Sequence, residues 1–350
     1  MRPACCLPLV VAALAGLGVR AGAEERRFAR SELHMGVEFE VVLYAEDEAR
    51  ASAALTKAMA RIAALDKALS DYDLESELSR LSATSHVTSP TPPAEFPAVS
   101  VSDELLTVLA TGQEISRASG GAFDVTVGPL TRLWRRARRQ RELPDAELLK
   151  TAQASVGYKF LQLDAASKTA RLQRPNMRLD LGGIAKGFAA DEAVKAVVGC
   201  GLPRVLVRGS GDIACWDPPP GQAGWTIGVA PLDPDDPPQE FISLRRLAVS
   251  TSGDARQHLV VDGKRYSHIL DPRTGQPVSG RSSVTVIATS GIIADALDTA
   301  ASVLGPEQSL ALLKQYPGSE LLMTVEDAAG LRHRTQSPEF QKYETTKPTP

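Results

Sequence analysis

Cysteine is scarce: four in 350 residues, with Cys5 and Cys6 at the extreme N-terminus. The other two, Cys200 and Cys215, lack CxxC spacing, which excludes a thiolate zinc site. They could pair in an oxidising compartment, but spacing alone does not join them, and both read as structural. An excess of one charge is also missing. Lys+Arg number 39 against 42 Asp+Glu, a net charge of -3, so nothing calls for a polyanionic partner. The one basic run, Arg135, Arg136, Arg138, Arg139 and Arg141, reads as the solvated face of a helix or loop, and no nucleic acid is expected. Beyond the N-terminus no apolar stretch is long enough to cross a bilayer. Neither a Rossmann glycine fingerprint nor a P-loop is present, so a dehydrogenase or NTPase of those types fails on spacing.

What is there begins with an export signal. Arg2 supplies a positive start, Leu7 to Val19 is apolar, and Ala21-Gly22-Ala23 is an A-x-A cleavage pattern followed by Glu24-Glu25. The pattern predicts a signal peptide over 1–23, a mature chain starting at Glu24 and a periplasmic location. An uncleaved N-terminal anchor is the alternative. The remainder, 43% hydrophobic and 23% charged over the whole chain, is enough to bury a core.

Alternation of Val37, Phe39, Val41 and Leu43 predicts a strand over 35–44. Leu55, Met59, Ile62, Leu65 and Leu69 then recur at helical spacing over 47–69. Residues 83–98, rich in Ser, Thr and Pro, read as a surface loop. Ser102 caps a second helix that stops at Gly120-Gly121, and Pro144 and Asp145 open a third. Strands are expected at 158–164, 169–173, 177–181, 204–208, 225–230, 241–249 and 283–288, with a hairpin turning at Asp262-Gly263. Helices are expected at 184–198, 291–304 and 306–316. Strands and helices mix without strict alternation and no linker or repeat appears. The fold class is therefore α+β, one domain over 24–340 with a frayed polar tail over 341–350.

Four segments carry chemistry. Asp180-Leu181-Gly182-Gly183-Ile184-Ala185-Lys186-Gly187 runs from a strand into a helix; its glycines allow close backbone approach, and the helix start with Lys186 suits a phosphate. The same residues also suit a tight turn with a surface lysine. Asp295, Asp298 and Thr299 fall at i, i+3 and i+4, one stripe of hard oxygen ligands suited to Mg²⁺ or a solvated polar stripe. Here the stripe sits in an otherwise uncharged helix. His268 and Asp271 stand before a Pro/Gly turn, where a histidine can act as a base or shape the turn. Nothing singles out His34, His86, His258 or His333. Gly120 to Leu130, with Phe123 and Asp124 just past a helix end, is the fourth segment.

Together with Met35-Gly36, Ser70-Asp71-Tyr72, Ser76 to Leu81, Leu133-Trp134, Asp191 and Thr251-Ser252-Gly253, these segments resemble the FAD:protein FMN transferase (ApbE) family, in family order from residue 35 to about 305. The resemblance implies an ApbE-like, T-fold-related α+β domain with its active site between two halves of the chain. It implies Mg²⁺-dependent transfer of the FMN half of FAD to a threonine of an acceptor flavoprotein, membrane-associated or periplasmic, with release of AMP. A site using water would instead be an FAD pyrophosphatase, and a non-catalytic exported FAD-binding protein is the reading of another class. The resemblance assigns the metal to Asp295, Asp298, Thr299 and a backbone carbonyl at Gly183. It assigns FAD contacts to Met35, Tyr72, Ala122, Phe123, Asp124, Asp180, Lys186 and Ile269, with Tyr72 against the isoalloxazine ring, and the catalytic base to His268. The chain departs from the family pattern at Val37 and at Gly209-Ser210-Gly211-Asp212.

Overall fold

The computed structural model describes residues 24–347 apart from 90, 92, 234, 254–257 and 328. The signal expected over 1–23 lies outside them. The architecture is α+β. Its centre is an eight-stranded sheet in which every neighbouring pair is antiparallel: 26–34, 37–45, 205–209, 212–215, 248–253, 281–288, 320–326 and 332–336, in that order. Spatial order follows chain order, so everything else except the C-terminal tail enters as insertions between adjacent strands.

Among the described residues eight α-helices occupy those insertions: α1 (Glu48–Leu69), α2 (Glu77–Ala83), α3 (Asp103–Ala118), α4 (Gly128–Gln140), α5 (Ala146–Ala154), α6 (Ala185–Val198), α7 (Gly291–Leu304) and α8 (Pro306–Leu313). Helix α1 starts where the Asp47 side chain accepts from Arg50 N, and the periodic Leu55, Met59, Ile62, Leu65 and Leu69 are all buried. α3 is capped as expected, with Ser102 accepting from Leu105 N. Helices α1, α6 and α7 cover one face of the sheet, burying Phe39, Val41, Leu43, Val207 and Val286 in the main core. The other face packs Val42, Cys215, Val249, Ile287 and Leu322 on a small sheet built from 225–228, 241–244 and 344–345.

Several expectations are corrected. The first strand pairs with Arg26–His34 through a two-residue turn, and both Met35 (φ 50) and Gly36 (φ 74) are left-handed, as a hairpin of this twist requires. The span 177–181 forms no strand beyond one bridge from Val127 to Arg178, because Leu179 N donates to Ser82 Oγ and Asp180 N donates to Val125 O. The span 241–249 breaks into Phe241–Leu244 and Ala248–Gly253, which belong to different sheets, with Arg246 at φ 52 in the break. The tail is docked: Phe340 is fully buried, and Glu344 and Thr345 pair with Ile242 and Phe241. Cys200 and Cys215 do not pair; their thiols donate to Ala196 O and Leu247 O. Burial raises the Cys215 thiol to about 11, so it stays protonated and inert.

Candidate active site

Two helices meet where the Asp180–Gly187 turn enters α6. A Cβ on Gly187 would stand 2.1 Å from Gly291 O, and one on Gly291 would stand 2.4 Å from Gly187 O. Only glycine at both positions lets α6 and α7 touch backbone to backbone. That contact brings Gly187 N to 2.9 Å from Asp295 Oδ2. Gly183 closes the same approach one turn on, where a Cβ would meet Thr299 Oγ1 at 2.7 Å. The start of α7 lacks a cap from its own Ser290; instead Asp191 of α6 accepts from Gly291 N at 2.7 Å and Ile292 N at 3.0 Å. Helix α7 is thus positioned by α6 through a carboxylate and two glycines.

The outcome is a buried charge cluster. Asp295 and Asp298 are 2% and 0% exposed, and Asp212, at the start of the strand after the Ser210-Gly211 turn, is 3% exposed. Lys186 Nζ lies 2.9 Å from Asp212 Oδ2 and 3.6 Å from Asp295 Oδ1, and donates to Gly182 O. Ser250 Oγ is 2.5 Å from Asp212 Oδ1 and 2.6 Å from Asp298 Oδ2. Burial, then the charge of Asp212, raises the Asp295 carboxyl to about 7 against the opposing pull of Lys186. Burial, then the charges of Asp295 and Asp212, raise the Asp298 carboxyl well above its ordinary value. For Lys186, burial alone would lower the ammonium pKa; Asp212 and Asp295 outweigh it and keep the lysine protonated. Three carboxylates against one ammonium leave an excess of negative charge that a hard cation would neutralise. Among the described residues no three Asp, Glu, His or Cys side chains are arranged to hold one ion.

This cluster forms the floor of a cleft of about 1000 Å³, at the upper end of small-molecule sites. Met35, Tyr72, Ala122, Phe123, Asp124 and Asp180 line it, as do Gly183, Lys186, His268, Ile269, Asp295 and Thr299. Of the sequence candidates only Asp298 stands behind the wall, reached through Ser250. The cleft separates the helical insertion, which brings Tyr72, the Ala122–Asp124 stretch and Asp180, from the later half, which brings His268 and α7.

The walls are pre-organised by their own hydrogen bonds. Asp180 accepts from Arg135, from Thr131 Oγ1 at 2.7 Å and from Gly182 N at 2.9 Å. Arg135 also pairs with Asp71, and its guanidinium lies 4.7 Å over the ring of Tyr72, which is 74% exposed at the mouth. Both oxygens of Asp124 are occupied, accepting from Thr126 N and Oγ1 and from Tyr158 N. Its carboxylate therefore ties the loop together rather than facing the cleft as a free acceptor. Lys186 likewise has its charge satisfied by Asp212, so the phosphate-binding capacity of this corner rests on the glycine turn and the start of α6 more than on that ammonium. Asp271 is clamped by the bidentate Arg273 at 2.9 Å to each oxygen, which locks the turn after His268.

A family model described as the ApbE family matches residues 35–323. The chain belongs to the ApbE family. A Klebsiella pneumoniae relative named FAD:protein FMN transferase is 31% identical over 315 residues, 88% of this chain and 87% of its own. A Treponema pallidum relative of the same name is 32% identical over 336 residues, 91% and 90% of the two chains. The flavin transferase ApbE from Vibrio cholerae superposes with a TM-score of 0.78 at 29% identity, covering 91% of this chain and 99% of that one. The apo Pseudomonas stutzeri flavinyl transferase ApbE gives 0.77 at 31% identity, covering 91% and 97%.

In this ApbE-family chain, sequence reasoning missed Asp212, Ser250 and the partners of Asp180. Asp212 carried a signal in the Gly209 to Asp212 segment, registered only as a departure from the pattern. Ser250 carried none, because its relation to Asp298 exists only across the sheet-to-helix contact. Arg135, within the basic run expected to be a solvated face, points inward to Asp71 and Asp180.

Proposed function

We infer that this chain transfers the FMN half of FAD to a protein, releasing AMP. The observation that carries the reading is the convergence of the ApbE-family segments on one cleft floored by an over-charged carboxylate cluster. Mg²⁺ fits that cluster: Asp295, Thr299 and the Gly183 carbonyl would hold it from the cleft and Asp298 from the wall behind, while Ser250 and Asp212, which line the cleft, would anchor Asp298 and Lys186. Bound there, the cation supplies positive charge that neutralises the pyrophosphate and the departing AMP.

The chain's own residues do the rest. Tyr72, at the mouth, offers its ring to the isoalloxazine, with Met35, Phe123 and Ile269 as apolar walls. The glycine turn and the uncapped start of α6 receive phosphate oxygens. His268, on the cleft wall, takes the proton of the acceptor threonine hydroxyl as its oxygen bonds to the phosphorus of the FMN half. The bond from that phosphorus to the bridging oxygen breaks, and AMP leaves with the oxygen.

The test is to incubate the mature protein with FAD, Mg²⁺ and a candidate acceptor and to weigh the acceptor while measuring AMP. Gain of FMN mass with equal AMP supports transfer; AMP with free FMN and no change of acceptor mass marks a pyrophosphatase; neither product marks a binding protein. Export completes the proposal: N-terminal sequencing of the native protein is expected to read from Glu24, and a chain still starting at Met1 would overturn it.

A further inference from the structure

We propose that the outer face of α4 docks an acidic surface segment of the acceptor protein beside the cleft mouth, a reading that rests on the transferase function above. The inner face of α4 is fixed: Leu130, Trp134 and Ala137 are buried, Trp134 Nε1 donates to Gly275 O at 3.0 Å, and the indole stacks on Tyr266 at 5.6 Å. The same helix supplies Thr131, Arg135 and Arg138 to the cleft. It is therefore a rigid rim of the site.

Its outer stripe is Arg132, Arg136 and Arg139, all exposed and spaced by four and three residues, with exposed Arg141 just beyond. Among the described residues none of these four has an acidic partner; Arg136 donates only to Gln140. Elsewhere many exposed arginines are paired, as Arg208 with Glu40, Arg246 with Asp217 and Arg332 with Asp233. Like charges one turn apart oppose the helix, and no described residue neutralises them. The chain as a whole carries -3, so the stripe is a local feature and not general basicity. An overall negative chain suits a discrete acidic partner better than an extended anionic surface. On the cleft side of α4, Tyr72 is 74% exposed and sits under Arg135. An apolar spot bordered by arginines is the composition of a protein-docking patch. A basic rim would draw in an acidic segment from a distance and orient the hydroxyl it carries toward the cleft.

The experiment uses a carrier protein with one threonine in an exposed loop, flanked either by aspartates or by serines. Binding to the full mature chain with FAD is followed by anisotropy, and FMN transfer by mass. The acidic loop is expected to associate about ten- to a hundredfold faster than the neutral one, an advantage fading between about 0.05 and 0.3 M salt. Arg132→Ser, Arg136→Ser, Arg139→Ser combined should abolish the advantage while FAD affinity and AMP release to water are unchanged. Equal binding of both loops, or an advantage surviving in the triple variant, overturns the docking proposal even if both loops are flavinylated. Selective binding of the acidic loop without flavinylation upholds docking and instead counts against the transfer reading. Sedimentation with phosphatidylglycerol vesicles that is lost in the triple variant, with no preference between loops, assigns the stripe to a membrane and also overturns it.

Discussion

At the scale of single residues, the cluster of Asp212, Asp295 and Asp298 around Lys186 is where charge is most constrained. Removing Asp295 takes away an anionic donor that no neighbour replaces, and leaves Gly187 N without its acceptor. Asp295→Ala should lower FMN transfer at limiting Mg²⁺ on the order of hundredfold or more, with circular dichroism showing a retained fold. Undiminished transfer would remove Asp295 from the metal site. His268→Asn keeps a polar group at the cleft wall but cannot accept a proton at neutral pH. It should bind FAD normally and lose transfer on the order of 10²- to 10⁴-fold in single turnovers at saturating FAD. Weak FAD binding with a normal rate once saturated would instead make His268 a residue that shapes the turn before Pro272. The types and spacing of Asp295, Asp298, Thr299 and His268 were legible in the sequence because helix periodicity and turn residues are local. Asp212 and Ser250 were not, because their partners lie 83 and 48 positions along the chain (from Asp212 to Asp295, and from Ser250 to Asp298) and meet only after folding.

At the scale of elements, the α6–α7 junction decides whether the site exists. Asp191 caps α7 in place of Ser290, so Asp191→Ala should cost about 0.5–2 kcal/mol of stability and loosen the carboxylates one turn on. Burial raises the Asp191 carboxyl to about 6, against the lowering effect of the two N–H donors. A carboxyl whose folded value lies above its unfolded value favours the folded state most when protonated. Its contribution is therefore greatest below about pH 4 and is lost as pH rises toward 6. The melting temperature of wild type relative to Asp191→Asn should fall over that interval, and parallel curves would show that Asp191 does not titrate there. Helices α1 and α3 were readable because an apolar stripe and a cap coincide, and α6 and α7 because small and apolar residues run on from a glycine without a helix breaker. Helix α4 was not, since its buried Leu130, Trp134 and Ala137 are outnumbered by arginines. The edge strand Arg332–Gln336, RHRTQ, carries no apolar pattern and is held by backbone pairing to Glu320–Glu326.

At the scale of the whole molecule, the second core behind the sheet ties the chain's end to its middle. Phe340 fills it between Trp225, Ile242 and Leu322. Phe340→Ala should cost about 3–5 kcal/mol, read as a lower denaturant midpoint, although residue 340 stands far from the cleft. A loss under about 1 kcal/mol would show that the tail packs loosely. The expectation of a frayed tail failed because Gln341, Lys342 and Glu344 are polar, and the anchors, Phe340, Tyr343 and backbone pairing of Glu344 and Thr345 to a distant strand, make no local pattern. By itself the sequence determined the α+β class, most elements and the ordered segments that mark an ApbE-family chain, since these follow from local periodicity, turn chemistry and glycine placement. Only the tertiary structure decided that the segments share one cleft, that Asp212 and Ser250 complete the charge cluster, and which arginines of α4 turn inward. Those outcomes depend on contacts between residues distant in sequence, and one residue's burial and charge partners are properties of the packed whole.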